Sequence, residues 1–129
     1  MSLEELRRKF IVDQDVLKAR LEPVVSKALN YCVCDKEGKV HILRRDLSGR
    51  NQTMLVLAAR AIASQLDPKI APQISVSEIA AYTGLPANQI RARGKELVEA
   101  RFAESPERGT YRALFHRVEV FLDSMSEGS

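Results

Sequence analysis

Basic side chains are concentrated in one stretch of the C-terminal half, and their chemistry suits a phosphate-bearing partner. Residues 86–117 hold seven Lys or Arg against four Asp or Glu, although the whole chain of 129 residues has a formal charge of only +3. A locally basic surface attracts nucleic acid. An ordinary mixed surface would explain the charges equally well. The seven basic residues are Arg91, Arg93, Lys95, Arg101, Arg108, Arg112 and Arg117.

The two cysteines and two histidines form no familiar site. Cys32 and Cys34 are too close in sequence for an ordinary disulfide, and two thiolates do not complete a zinc shell. His41 and His116 lack the paired spacing of a metal motif. We therefore expect packing thiols, with no metal and no cofactor. The alternative is that residues 1–50 sense a ligand or a redox state through the two thiols.

The sequence also lacks the short motifs of the common enzyme classes. It has no phosphate-cradling Gly-rich loop, no G-x-S-x-G and no H-E-x-x-H, so we expect no enzyme. No apolar run approaches the roughly 18 residues that a membrane span needs, and the N-terminus has no long apolar segment. We expect a cytoplasmic protein that does not enter a membrane.

Residues 1–50 predict helices and a hairpin that form a packing or dimerisation region. Residues 3–12 predict a short charged helix. Apolar spacing predicts a second helix over 13–29, with a kink or a new helix at Pro23. The β-prone runs 31–34 and 39–43 predict a hairpin, because a Gly-containing turn separates them.

Residues 51–125 predict a second domain. A helix over 52–66 is apolar almost all round and is expected at the centre of the fold. Residues 116–125 predict a last helix with one apolar side. That side either folds back on the N-terminal helices or forms the seam of a dimer.

Two helices joined by a tight turn are predicted between these elements. Ser75 and Glu78 form an S-x-x-E capping box, which predicts a helix start near Val76. Gly84 suits the left-handed position after that helix. Pro86 suits the first turn of the next helix. The buried positions of the second helix are Ile90 and Leu97.

After Leu97 the sequence predicts a strand, a turn containing Pro and Gly, and a second strand. With this hairpin and the preceding helix over 52–66, residues 52–115 resemble the winged helix-turn-helix family of transcription regulators. The resemblance implies a mainly α fold with small β-hairpins, in which an N-terminal helical and hairpin region precedes the winged helix-turn-helix domain. The recognition helix would be 86–100 and the wing 102–115. Two residues depart from the family pattern. Gly94 lies inside the recognition helix, where it costs about 1 kcal/mol relative to Ala, and Arg101 stands where such domains often have a turn glycine.

The same resemblance implies which side chains would meet DNA. The recognition helix would enter the major groove by its N-terminal part, which places Asn88, Gln89 and Arg91 nearest the base edges. Arg93 and Lys95 would contact phosphates. Ion pairing of these cations with neighbouring glutamates on an exposed helix is the alternative.

The wing would supply two more contacts, from Arg108 at its tip and Arg112 on its second strand, to the backbone or the minor groove. The resulting hypothesis is a transcriptional regulator that binds double-stranded DNA, as a homodimer because half-site recognition needs two copies. The alternative is a winged-helix module that docks a protein partner within a larger nucleic-acid-associated assembly. Steep salt dependence would distinguish DNA binding from protein docking.

Overall fold

The computed structural model describes residues 2–11 and 14–127 and is mainly helical, with 58% helix and two small antiparallel sheets. This confirms the predicted class of mainly α structure with small β-hairpins. The predicted helix boundaries at Val12 and Asp13 lie outside the described residues. In chain order, the elements are α1 (Leu3–Phe10), α2 (Gln14–Ala28), β1 (Cys32–Cys34), β2 (Val40–Ile42), α3 (Gly49–Leu66), β3 (Ile74–Ser75), α4 (Val76–Thr83), α5 (Ala87–Glu99), β4 (Ala103–Glu104), β5 (Thr110–Ala113) and α6 (Phe115–Glu127).

The centre of the fold is α3, as its apolar sequence predicts. Every residue from Gln52 to Ala63 is buried. A helix that is buried all round must be packed on several sides, and α3 contacts α2, α4, α5 and α6 together with β1, β2 and β5. Buried residues from both halves of the chain therefore form one hydrophobic core.

The two sheets lie on either side of α3 in the sequence. In the first, β1 pairs with β2 in an antiparallel hairpin that aligns Cys32 with Ile42. In the second, β5 lies between β3 and β4. Ile74 aligns with Tyr111 and Ala103 with Ala113, so the short strand before α4 is joined to the hairpin after α5.

Helix α4 begins and ends where its sequence predicts. The Ser75 hydroxyl accepts a hydrogen bond from the Glu78 backbone N–H at 3.2 Å, which caps the N-terminus. Gly84 adopts φ +78° and ends the helix, and its N–H donates to the Ala80 carbonyl. Pro86 precedes α5 as its N-cap residue. The turn between α4 and α5 is therefore determined by local sequence.

Helix α6 folds back on the chain itself. Its apolar residues Val118, Phe121, Leu122 and Met125 are buried, and the helix packs against α2 and α3. Of the two roles predicted for this stripe, the structure shows packing on the N-terminal helices, so the stripe is not free to form a dimer seam.

Helix α2 runs through Pro23 as one helix, so of the two predicted outcomes no new helix begins at that residue. Pro23 is exposed. Water can therefore hydrate the carbonyl group that the proline leaves without its usual N–H donor.

Candidate nucleic-acid interface

One side of α5 is buried against the core and determines which side faces outward. Ile90 is fully buried and Leu97 almost so. Gly94, also buried, lies one turn from each of them. A Cβ at Gly94 would lie 2.6 Å from Cζ of the Tyr111 ring, which is too close for any real contact. Glycine at this position therefore allows the β5 tyrosine to pack directly on the backbone of α5.

The opposite side of α5 carries exposed polar residues. Asn88, Arg91 and Lys95 are all exposed, as their spacing from Ile90 predicts. Within the described residues, neither Arg91 nor Lys95 has an ion-pair partner. The Asn88 Oδ1 accepts a hydrogen bond from the Gln89 backbone N–H at 2.9 Å. This side of α5 therefore presents two unpaired cations and one amide to solvent.

Two other predicted contact residues of α5 are engaged within the chain. Gln89 is half-buried and faces the start of α3, since a Cβ at Gly49 would lie 2.6 Å from its Nε2. Arg93 is half-buried, and its Nη2 lies 3.2 Å from Glu96 Oε1. For Arg93 the structure therefore shows the predicted alternative to phosphate contact, which is an ion pair with a neighbouring glutamate.

Of the two hairpin residues predicted to contact DNA, one is exposed and the other is paired within the chain. Arg108 is exposed in the turn before Gly109, which has φ +79°. The Thr110 and Ser105 hydroxyls hold this turn through hydrogen bonds to the Glu107 carbonyl. Arg112 forms an ion pair with Glu104, directly across the two strands. Arg108 is thus available for a partner, whereas Arg112 is neutralised.

Two further basic residues, Arg45 and Arg50, lie near the turn between α4 and α5 and near Gln89, and local sequence patterns did not predict them. The Arg45 Nη1 donates to the carbonyls of Tyr82 and Thr83 at 3.2 and 3.3 Å, at the C-terminal end of α4. Arg50 is exposed and follows Gly49, the residue that faces Gln89. Their positions depend on tertiary contacts that no local pattern reveals.

Helix α5 ends on an arginine in a conformation that favours glycine. Arg101 has φ 63° and, among the described residues, is the one non-glycine with positive φ. Its N–H donates to the Val98 carbonyl, and the Phe102 N–H donates to the Leu97 carbonyl. These two bonds are the Schellman pattern, whose left-handed position is usually glycine. Arg101 is exposed, so its side chain points away from the core at the end of the candidate surface.

The two thiols belong to the β1–β2 hairpin and are poorly suited to sensing. Cys32 is buried, and burial raises its pKa to about 12. Burial also raises the pKa of the Cys34 thiol. Because the thiolate is the reactive form, both thiols are less reactive near neutral pH than an unperturbed cysteine. This argues against the redox alternative for residues 1–50.

The described residues contain no cluster of three or more side chains suited to hold a metal ion. Within the same residues, no helix combines the length and hydropathy of a membrane span. Comparison with protein-family models, curated proteins and solved structures finds no match to this chain.

Proposed function

We propose that this chain binds double-stranded DNA through α5 and the β4–β5 hairpin, as a transcriptional regulator of the winged helix-turn-helix class. The observation that carries the proposal is that α5 packs by its apolar side on α3 and α4 while its exposed side presents Arg91 and Lys95 without ion-pair partners in the described chain. Such a helix has the form of a recognition helix.

The order of elements supports the same class. From α3 onward the chain runs helix, short strand, helix, helix and two-stranded hairpin. The short strand β3 pairs with β5, so the hairpin is attached beside α4 and α5. In a winged helix-turn-helix domain this is where the wing lies relative to the recognition helix.

Each exposed residue has a role that its chemistry suits. Arg91 and Asn88 lie near the N-terminal end of α5, where side chains reach base edges in the major groove. Arginine pairs bidentately with guanine and asparagine with adenine, each pair contributing about 1–3 kcal/mol of discrimination. Lys95 and Arg108 would contact phosphates, which adds affinity but little sequence preference.

Contacts within the chain reduce the expected contribution of the remaining predicted residues to DNA binding. Arg93 and Arg112 must exchange their glutamates for phosphates before they contribute, and Gln89 must rotate away from Gly49. We therefore expect these three to add less to binding than Arg91, Lys95 and Arg108.

The test is a titration of random and selected duplexes at two salt concentrations. Lys95→Ala should weaken binding to all sequences similarly and lower the salt slope by about one. Arg91→Ala should weaken binding to the preferred sequence by about 10- to 100-fold and relax the preference at one base pair. Lys69→Ala is the control, because Lys69 is exposed in the connector after the opposite end of α3. Equal, sequence-independent losses for Arg91→Ala and Lys95→Ala would disprove base reading by Arg91.

A protein-docking module is the second candidate, and one observation favours it. Three basic residues of α5 are offset by Glu96 and Glu99, which leaves a net charge of 3 − 2 = +1 on that helix. A helix with so small a net charge is better suited to contact a protein than to contact a polyanion such as DNA. Binding that is nearly independent of salt would favour this function over DNA binding.

A further inference from the structure

Helix α1 exposes its whole apolar side to solvent. Leu3, Leu6 and Phe10 are spaced three and four residues apart, so they form one stripe along the helix. They are 83%, 47% and 89% exposed, and no residue of α1 is buried. A helix of eight residues is too short to be stable alone in water. Helix α1 therefore needs a surface on which to pack.

An apolar groove of suitable chemistry lies between α2, β1 and α3. It consists of two adjoining cavities of about 370 and 520 Å³, which share Val25, Leu29 and Leu66. Leu29 and Leu66 are 55% and 60% exposed, so the groove is open to an incoming side chain. Cys32 and Ile70 line its far end.

The groove matches α1 in length and in charge. Along α2 it extends from Leu21 to Ala28, eight residues or about 12 Å, and α1 has the same eight-residue length. Its charged lining residues are three acids and one base, a balance of 1 − 3 = −2. The last turn of α1 is basic. The acids are Glu22, Asp35 and Asp67, the base is Lys36, and the basic residues of α1 are Arg7, Arg8 and Lys9.

If the chain's own α1 folded back along α2, it would not reach the far end of this groove. Only residues 11–13 separate α1 from α2. If α1 folded back along α2, Leu3 would lie about seven residues past the turn, level with Leu21, because both helices rise about 1.5 Å per residue. That position is where the groove begins. The far end beside Cys32 and Ile70 would stay uncovered.

We propose that α1 of a second copy of this chain lies in the groove, with its stripe of Leu3, Leu6 and Phe10 on Val25, Leu29 and Leu66, and that the exchange is reciprocal. A contact in which each copy supplies both the helix and the groove is self-complementary and closes as a two-fold dimer. The basic last turn of the incoming helix lies toward Asp35 and Asp67. This association does not depend on the proposed DNA binding.

The first experiment measures the mass of the full chain in solution by sedimentation across a range of concentrations. The wild-type chain should be a dimer, and Leu6→Glu and Leu66→Glu should each weaken the dimer by at least about tenfold in Kd. Both side chains are exposed, so the monomer should keep its fold, which circular dichroism checks. A wild-type chain that stays monomeric at every concentration overturns the proposal.

Two control variants alter a charge at exposed residues outside the proposed dimer contact. Val120→Glu introduces the same charge at an apolar residue of α6 that is 48% exposed and does not line the groove. Glu5→Gln alters an exposed residue of α1 on the side away from its stripe, outside the basic last turn. Both variants should dimerise like the wild type. Loss of the dimer in Val120→Glu would place the interface elsewhere and overturn the proposal.

A disulfide experiment identifies which copy supplies the helix. Arg7→Cys places a thiol beside the stripe, in the turn expected near the native Cys34. Mild oxidation at alkaline pH, which offsets the raised pKa of Cys34, should join the introduced thiol of one copy to Cys34 of the other. The product is a covalent dimer on a non-reducing gel, and Cys34→Ser should prevent it. A disulfide-bonded monomer would show that α1 docks on its own chain, and absence of any disulfide would rule out the proposed placement. Neither experiment contains nucleic acid, so failure here leaves the DNA proposal to its own test.

Discussion

Helices α5 and α1 are both short and amphipathic, but they expose opposite sides. Helix α5 buries Ile90, Gly94 and Leu97 and leaves charged residues in water. Helix α1 buries nothing and leaves Leu3, Leu6 and Phe10 in water. A charged exposed side suits a charged ligand such as DNA, whereas an apolar exposed side suits another protein surface. The difference separates a candidate ligand surface from a candidate assembly surface on one small chain.

The largest expected difference is in folding stability. Ile90→Ala should lower the free energy of unfolding by about 2–5 kcal/mol, because it leaves a cavity in the core. Leu6→Ala should change that free energy by no more than about 0.5 kcal/mol in the monomer, since Leu6 lies in solvent. Urea unfolding at concentrations where the chain is monomeric measures both. A comparable loss in Leu6→Ala would mean that α1 is packed on its own chain.

Gly94 tests the buried side of α5 more finely. In most helices Gly→Ala adds about 1 kcal/mol of stability. Here the new methyl group would meet the Tyr111 ring, and overpacking costs about 1–3 kcal/mol. Gly94→Ala should therefore destabilise the protein by about 1 kcal/mol. The same change in a Tyr111→Val background should stabilise it, and stabilisation in the wild-type background would contradict the packing described here.

The residues that follow the C-terminal ends of α5 and α1 provide a further comparison of the two helices. Arg101→Gly should raise the free energy of unfolding by about 1 kcal/mol, because glycine adopts the left-handed conformation without strain. Ile11→Gly after α1 should give no gain, since Ile11 is extended with φ −100°. Thermal unfolding compares the two variants. An unchanged melting temperature in Arg101→Gly would show that the arginine bears no strain.

The smallest expected effect on stability comes from the glutamate beside Arg93. Glu96→Gln should change the free energy of unfolding by no more than about 0.5 kcal/mol, since exposed ion pairs contribute little. It should strengthen DNA binding several-fold, because it frees Arg93 and removes a negative charge from α5. Glu5→Gln makes the same change of charge on α1 and should leave DNA affinity unaltered. Equal gains in both variants would trace the effect to net charge instead of to Arg93.

Local sequence predicted the elements around α5 well, for identifiable reasons. The Ser75–Glu78 cap, the left-handed Gly84 and the burial of Ile90 and Leu97 depend on residues within one or two turns of each other. The predicted bounds 86–100 and 102–115 differ from α5 and the β4–β5 hairpin by no more than two residues at each end. Of the two predicted departures from the family pattern, Gly94 is explained by the Tyr111 ring, and Arg101 adopts the left-handed conformation of the usual turn glycine.

The candidate site was less predictable, because distant partners decide which side chains are free. Gln89 faces Gly49, far earlier in the chain, and Arg112 pairs with Glu104 across a strand register that periodicity does not set. Arg45 reaches the end of α4 from the N-terminal half. The sequence selected the basic residues of α5 and the hairpin together, but it did not separate the paired cations from the unpaired ones.

The sequence by itself determined where α4 starts and stops, which sides of α5 and α6 are apolar, and that α3 is central. These properties depend on backbone conformation and on spacing along a helix, both of which are local. Only the tertiary structure decided that the apolar side of α6 is covered by α2 and α3 while that of α1 is not. The two stripes are alike in sequence. Whether one is buried depends on which other surface reaches it, and that surface comes from residues far away in the chain.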